Sequence, residues 1–241
     1  MEPDYAERSV QAGERASAYA LVAWAFLENP DPQFVQRMLA WRDDPSATSP
    51  ENRGGAAEAF RAGLLQMRGS LEARAGFSPE KIALELSVQR TRLFRGVAPG
   101  YGPPPPYEAL YRGGDPMSEA ALMLELRDFY REAAVWMAPG IVDRPDYLGL
   151  ELDLMRVLCE EESRAWNSGD AAGAERARRI QKSFLSRHLL PWAPQFCETL
   201  LREPGVPFYH ALAIILSGLL REEAGALGLE VAMKPMDPGQ A

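Results

Sequence analysis

The chain has 241 residues, 46% of them hydrophobic, and 26 basic against 34 acidic side chains give a formal charge of −8. An acidic chain without a Lys/Arg-rich run lacks the positive footprint that phosphate backbones require, so no nucleic-acid partner is expected. Only two cysteines are present, too few for a disulfide framework, and a chain of this length buries enough surface to fold without one.

Met1 to Tyr5 contains no basic stretch leading into an apolar one, so no secretory signal is expected and the expected location is the cytoplasm. Apolar residues at spacings of three and four predict helices over residues 4–28, 32–43, 53–75 and 79–95. Asp31-Pro32 and Ser78-Pro79 each set a capping side chain before a proline at the first helical position, while Gly76 and Gly96 mark stops.

From Gly96 to Gly114 the helical pattern lapses. Pro103 to Pro106 remove backbone donors and predict a stiff polyproline rod. The expected organisation is a single all-helical domain over 1–241. It comprises an N-terminal half (1–95), a Pro/Gly-rich hinge loop (96–115), a C-terminal half (116–228) and a tail (229–241). The loop reads either as a linker or as the rigid wall of a binding groove.

Beyond the loop, helices are predicted over 117–138, 145–167, 171–188, 193–203 and 207–226. Asp115-Pro116 starts the first of them, its apolar face runs from Leu122 to Met137, and Gly140 and Gly169 mark stops. Asp143 is a candidate N-cap and Asp146 a first-turn carboxylate, equally suited to anchoring a basic ligand. Glu160 is spaced to pair with Arg164. Pro191 ends one helix and Pro194 opens the next, with Trp192 at the corner and His188 near a helix C-terminus. Ala211 to Leu220 is the most apolar stretch, yet Ser217 and Gly218 interrupt it and a span needs about 20 apolar residues, so stable membrane insertion is not expected. No segment alternates with period two, and the fold class is all-α with about nine to ten helices.

Chemistry has few candidates. GxSxG, phosphate-loop, HExxH and CxxC patterns are all missing. Cys159 and Cys197 lie in apolar helical patterns and read as buried hydrophobes, and His188 and His210 have no partner at ligand spacing. No catalytic residue, metal site or cofactor is expected.

Three ordered motifs do stand out. Arg92-Leu93-Phe94, followed by the Gly/Pro loop and Pro105-Pro106-Tyr107-Glu108-Ala109-Leu110-Tyr111, resembles the RLF…PPYESVY signature of the TorD/DmsD/NarJ family of molybdoenzyme maturation chaperones. Pro145-Asp146-Tyr147-Leu148-Gly149-Leu150-Glu151 is similar to that family's PDH-containing motif. His188-Leu189-Leu190-Pro191-Trp192, then Phe196, Pro207-Phe208-Tyr209 and Ala211-Leu212-Ala213, resembles its HLxPW…F…PFYxALA block.

The resemblance implies a TorD-like, all-helical cytoplasmic chaperone without catalytic activity. Its implied partners are a molybdoenzyme catalytic subunit and that subunit's twin-arginine signal peptide. Leu93, Phe94, Pro105, Pro106, Tyr107, Glu108, Tyr111, Pro145, Asp146, Tyr147, His188, Trp192 and Tyr209 are then the expected peptide-binding residues, with Asp146 and Glu108 facing the arginines. Tyr147 departs from the family pattern, replacing a histidine. Competing readings are a small helical enzyme or nucleotide-binding maturation factor, and an accessory structural subunit of the oxidoreductase. A monomer or a domain-swapped homodimer is expected, the loop serving as the hinge.

Overall fold

Capping chemistry sets where several helices begin. The computed structural model describes residues 5–43, 55–96, 100–135 and 143–229. In it Asp31 accepts the Phe34 N–H at 2.6 Å, Ser78 the Lys81 N–H at 3.3 Å, Asp115 the Ser118 N–H at 2.8 Å and Asp170 the Gly173 N–H at 2.9 Å. Each bond satisfies an otherwise orphaned first-turn donor.

The resulting helices are α1 (Tyr5–Leu27), α2 (Pro32–Asp43), α3 (Gly55–Glu72), α4 (Pro79–Phe94), α5 (Glu108–Arg112), α6 (Pro116–Glu132), α7 (Leu148–Asn167), α8 (Ala171–Phe184), α9 (Ala193–Leu201) and α10 (Pro207–Ala226). The described residues contain no strand, only an isolated antiparallel bridge between Tyr107 and Tyr147. The fold is all-α, and none of these helices is long and apolar enough to cross a membrane.

Several elements differ from expectation, α8 among them, which ends at Phe184 rather than at 188. α5 forms inside the expected loop. α6 stops at Glu132, because Ala134 turns into the left-handed region at φ 53° and breaks the ladder. The rest of its expected length, 136–138, and the stop at Gly140 lie outside the described residues. α7 begins at Leu148 rather than near Pro145, with Tyr147 as its N-cap, so neither Asp143 nor Asp146 belongs to its first turn.

The chain forms two compact units. The first comprises residues up to Leu27, Tyr107–Ala193 and Ala224–Glu230, and the second Glu28–Pro106, Pro194–Glu223 and the residues from Val231. α1 belongs to the first because its face is made to dock on α7. Ser9 Oγ donates to the Ser163 carbonyl at 3.0 Å and Ser163 Oγ to the Ser9 carbonyl at 2.8 Å. Tyr5 stacks on Trp166 at 5.3 Å. Beneath this seam the buried carboxylate of Glu162 takes Arg15 at 2.9 Å, Gln181 at 2.9 Å, Arg178 at 3.0 Å and the Trp166 indole at 3.2 Å, joining α1, α7 and α8. Burial alone would raise the pKa of this carboxyl, but Arg15, Gln181 and Arg178 outweigh it and hold it below the ordinary 4.5.

In the second unit, α3 approaches α10 at Gly63. A Cβ there would stand 2.6 Å from Ile215 Cγ1 and 2.8 Å from its backbone nitrogen, so only glycine fits. Phe94 packs edge-on against Tyr209 at 5.2 Å and near Phe196 at 6.1 Å, and the Tyr209 hydroxyl donates to the Leu86 carbonyl at 2.8 Å, which gives the buried ring its polar partner. The segment after Gly100 is seated on the end of α4. A Cβ on Gly102 would lie 2.2 Å from the Arg92 carbonyl oxygen, and Pro103 and Pro106 are buried.

Both cysteines are buried, and burial pushes the Cys197 thiol up to about 12, which leaves it unreactive. The expected Glu160–Arg164 pair does not form. Arg156 takes Glu160 at 2.7 Å and Arg164 takes Glu161, three residues before it.

Candidate functional site

The site grows from two helix starts laid side by side. Tyr107 and Tyr147 are the extended N-cap residues of α5 and α7, neither side chain capping its own helix. Their backbones pair, the Glu108 N–H donating to the Asp146 carbonyl at 2.9 Å, and their rings meet at 5.3 Å. The missing cap of α5 comes from across this bridge, where Asp146 Oδ2 accepts the Ala109 N–H at 3.3 Å. The same carboxylate is gripped by Arg144 through Nε at 3.0 Å and Nη2 at 3.1 Å. Tyr107 donates its hydroxyl to Asp143 at 3.0 Å, and Tyr147 donates to the Phe26 carbonyl at 2.8 Å, so Tyr147 fastens the end of α1.

A buried polar cluster lies behind. Glu108, wholly buried, accepts from Arg112 at 2.7 Å through one oxygen and meets His188 Nδ1 at 2.9 Å through the other. His188 does not cap a helix end as its position suggested. It lies in a π-turn, Leu185–Leu189, closed by the Leu190 N–H bonding the Leu185 carbonyl at 2.9 Å. That wider turn buries Leu185, His188 and Leu189 while Ser186 and Arg187 stay exposed. Phe129 and Phe184 pack on the imidazole at 5.1 and 5.0 Å, and its Nε2 lies 3.4 Å from Glu125.

Glu151 completes the cluster. Burial, and then the neighbouring Glu108, raise the pKa of this carboxyl well above the ordinary 4.5. The Trp192 indole donates to it at 3.2 Å, and Trp192 in turn packs against Tyr111 at 5.5 Å.

In front of the cluster α5 and α6 border a cleft of about 440 Å³, lined by Ala109, Arg112, Gly113, Gly114, Ser118, Glu119, Ala121, Leu122 and Glu125. The same helices expose Leu110, Met117 and Leu124. The lining combines the carboxylates of Glu119 and Glu125 with the apolar Ala109, Ala121 and Leu122, an arrangement that fits a cationic and apolar peptide segment.

Of the residues expected to bind peptide, Tyr107, Glu108, Tyr111, Pro145, Asp146, Tyr147, His188 and Trp192 come together here, in the first unit. Leu93, Phe94, Pro105, Pro106 and Tyr209 belong to the second. Glu108 and Asp146 do not form the exposed acidic rim expected of them. Both are wholly buried, Glu108 against Arg112 and His188, and Asp146 against Arg144. The carboxylates that do line the cleft are Glu119 and Glu125. The sequence reading missed them, along with Arg112, Arg144 and Glu151, because nothing local distinguishes them from a solvated helix face. The described residues contain no group of three or more His, Cys, Asp or Glu placed to hold a metal ion.

The sequence pattern of the nitrate reductase delta subunit family matches residues 55–198, more than half of the chain. The chain belongs to this family. Every residue of the cluster falls inside the matched stretch, whereas α1 precedes it. The chain is 32% identical over 90 residues to a selenate reductase assembly chaperone protein of Thauera selenatis, covering 36% of this chain and 46% of that one. It is 28% identical over 146 residues to the Tat proofreading chaperone DmsD of Salmonella typhi, covering 60% and 63%. It is 30% identical over 111 residues to a perchlorate reductase assembly chaperone protein of Dechloromonas aromatica (strain RCB), covering 45% and 49%. The matches thus span between about half and just under two thirds of these curated relatives.

Proposed function

We propose that the protein is a cytoplasmic chaperone for a molybdenum-cofactor oxidoreductase. It binds the twin-arginine signal peptide of the catalytic subunit, the apo subunit itself, or both, and holds the client for cofactor insertion before export or assembly. The relatives named as assembly and proofreading chaperones support this reading. The observation that carries it is the cleft between α5 and α6, whose lining sets Glu119 and Glu125 with the apolar Ala109, Ala121 and Leu122. A twin-arginine leader presents cations followed by an apolar stretch, and such a cleft meets both. Catalysis has no part in the role.

Calorimetric titration with a synthetic peptide, two consecutive arginines followed by a leucine-rich segment, tests the proposal. Saturable binding that weakens about 10-fold in Glu119→Gln plus Glu125→Gln, and weakens with added salt, is the expected result. If neither the peptide nor an apo molybdoenzyme subunit encoded beside this gene binds, the proposal fails.

A further inference from the structure

Arg144 is the residue that the site as described does not explain. Its guanidinium makes a two-pronged contact to Asp146, Nε to Oδ1 at 3.0 Å and Nη2 to Oδ2 at 3.1 Å. Nη1 reaches Glu119, a wall of the cleft, at 2.6 Å. The guanidinium carbon lies 5.8 Å from the centre of the Tyr107 ring, and the Nη2 atom is 4.0 Å from Met123 sulfur. Two carboxylates, one held by the full fork, and an aromatic ring nearby make a complete seat for an arginine. The seat opens to solvent, since the Arg144 side chain is 47% exposed while Asp146 beneath it is wholly buried.

We propose that Arg144 is a resident competitor that occupies, in the free protein, the seat which an incoming peptide arginine takes, and that it thereby sets the selectivity of the site for arginine. The inference rests on the peptide-binding reading above. Exchange of one guanidinium for another leaves Asp146 paired in both the free and the bound state, so neither state strands a buried charge. Only a forked cation can repeat both prongs; a lysine ammonium, making one bond where Arg144 makes two, does not displace it, so a twin-lysine peptide does not depend on the seat. Because the seat is free only for the fraction of time that Arg144 swings out, peptide affinity in the unmodified chain is lowered by that fraction.

The test compares Arg144→Gln, Arg144→Lys and the unmodified chain by calorimetry, with the twin-arginine peptide and a twin-lysine counterpart, after thermal melts establish that each is folded. Arg144→Gln is expected to bind the twin-arginine peptide about 10-fold more tightly, with a gain below twofold for the twin-lysine peptide. Arg144→Lys, which keeps the charge but loses the fork, is expected to gain an intermediate amount and decides the matter should the glutamine variant not fold. Unchanged or weaker binding of the twin-arginine peptide by the folded variants, or an equal gain for both peptides, overturns the inference while binding by the unmodified chain leaves the functional reading standing. No binding by any of the three chains overturns both.

Discussion

His188 and Glu108 meet at 2.9 Å through Nδ1 and Oε2, and neither side chain is exposed. Glu108 also holds Arg112 at 2.7 Å. Removing the carboxylate leaves a buried imidazole and the Arg112 guanidinium without their partner. Glu108→Ala is therefore expected to lower stability by about 3 kcal/mol, and Glu108→Gln, which keeps the shape and one acceptor, by about half as much. Urea unfolding checks both, and a loss under about 1 kcal/mol for the alanine variant would mean that the cluster does not hold the fold together.

Glu151 ties stability to alkaline pH. Its pKa is higher in the folded chain than the ordinary 4.5, so the folded state retains a proton that the unfolded state releases. This contribution is complete below the unfolded value and drains away as pH rises toward the folded one. Glu151→Gln still offers an acceptor to the Trp192 indole and carries no proton to lose. Its stability relative to the unmodified chain should grow steadily between pH 5 and pH 9 in thermal melts, and a pH-independent difference would contradict the assignment.

Glu162 behaves in the opposite sense. Its pKa is depressed below 4.5 because Arg15, Gln181 and Arg178 outweigh burial, so its contribution is present above the unfolded value and lost as pH falls through the folded one. Glu162→Gln is expected to cost about 2 kcal/mol at pH 7, less than a fully enclosed pair because Arg178 reaches water. At pH 3.5 the cost should shrink, and unfolding measured at the two pH values reads the difference directly.

Gly63 and Gly69 sit on the same helix and should respond oppositely to alanine. At Gly63 the new Cβ meets Ile215 at 2.6 Å, whereas at Gly69 nothing lies within 4 Å. Gly63→Ala is expected to lose about 1–3 kcal/mol through overpacking, and Gly69→Ala to gain up to about 1 kcal/mol from helix propensity. Equal shifts in the two variants would show that α3 does not press on α10.

The helices were legible because their causes are local: a capping side chain three residues ahead of the N–H it satisfies, as at Asp31, Ser78 and Asp115. α5 was not, because five residues are too short to show a period and its cap is supplied by Asp146, 37 residues away. Asp146 and Glu108 stood out correctly as unusual, but their burial depends on partners that spacing does not reveal, His188 being 80 residues from Glu108. Glu160 illustrates a different limit. Arg156 and Arg164 are both at helix-neighbour distance, and only the packed structure shows that the first is taken.

The serine clasp between α1 and α7 joins residues 154 positions apart. During synthesis α1 therefore leaves the ribosome long before the helix that covers it exists, and its apolar face waits while the whole second-unit segment from Glu28 to Pro106 is made. Contacts of such separation close late and slowly. A nascent chain halted before Leu148 cannot complete its first unit, and a protein whose proposed task is to shelter unfinished clients itself passes through a long unfinished stage of its own.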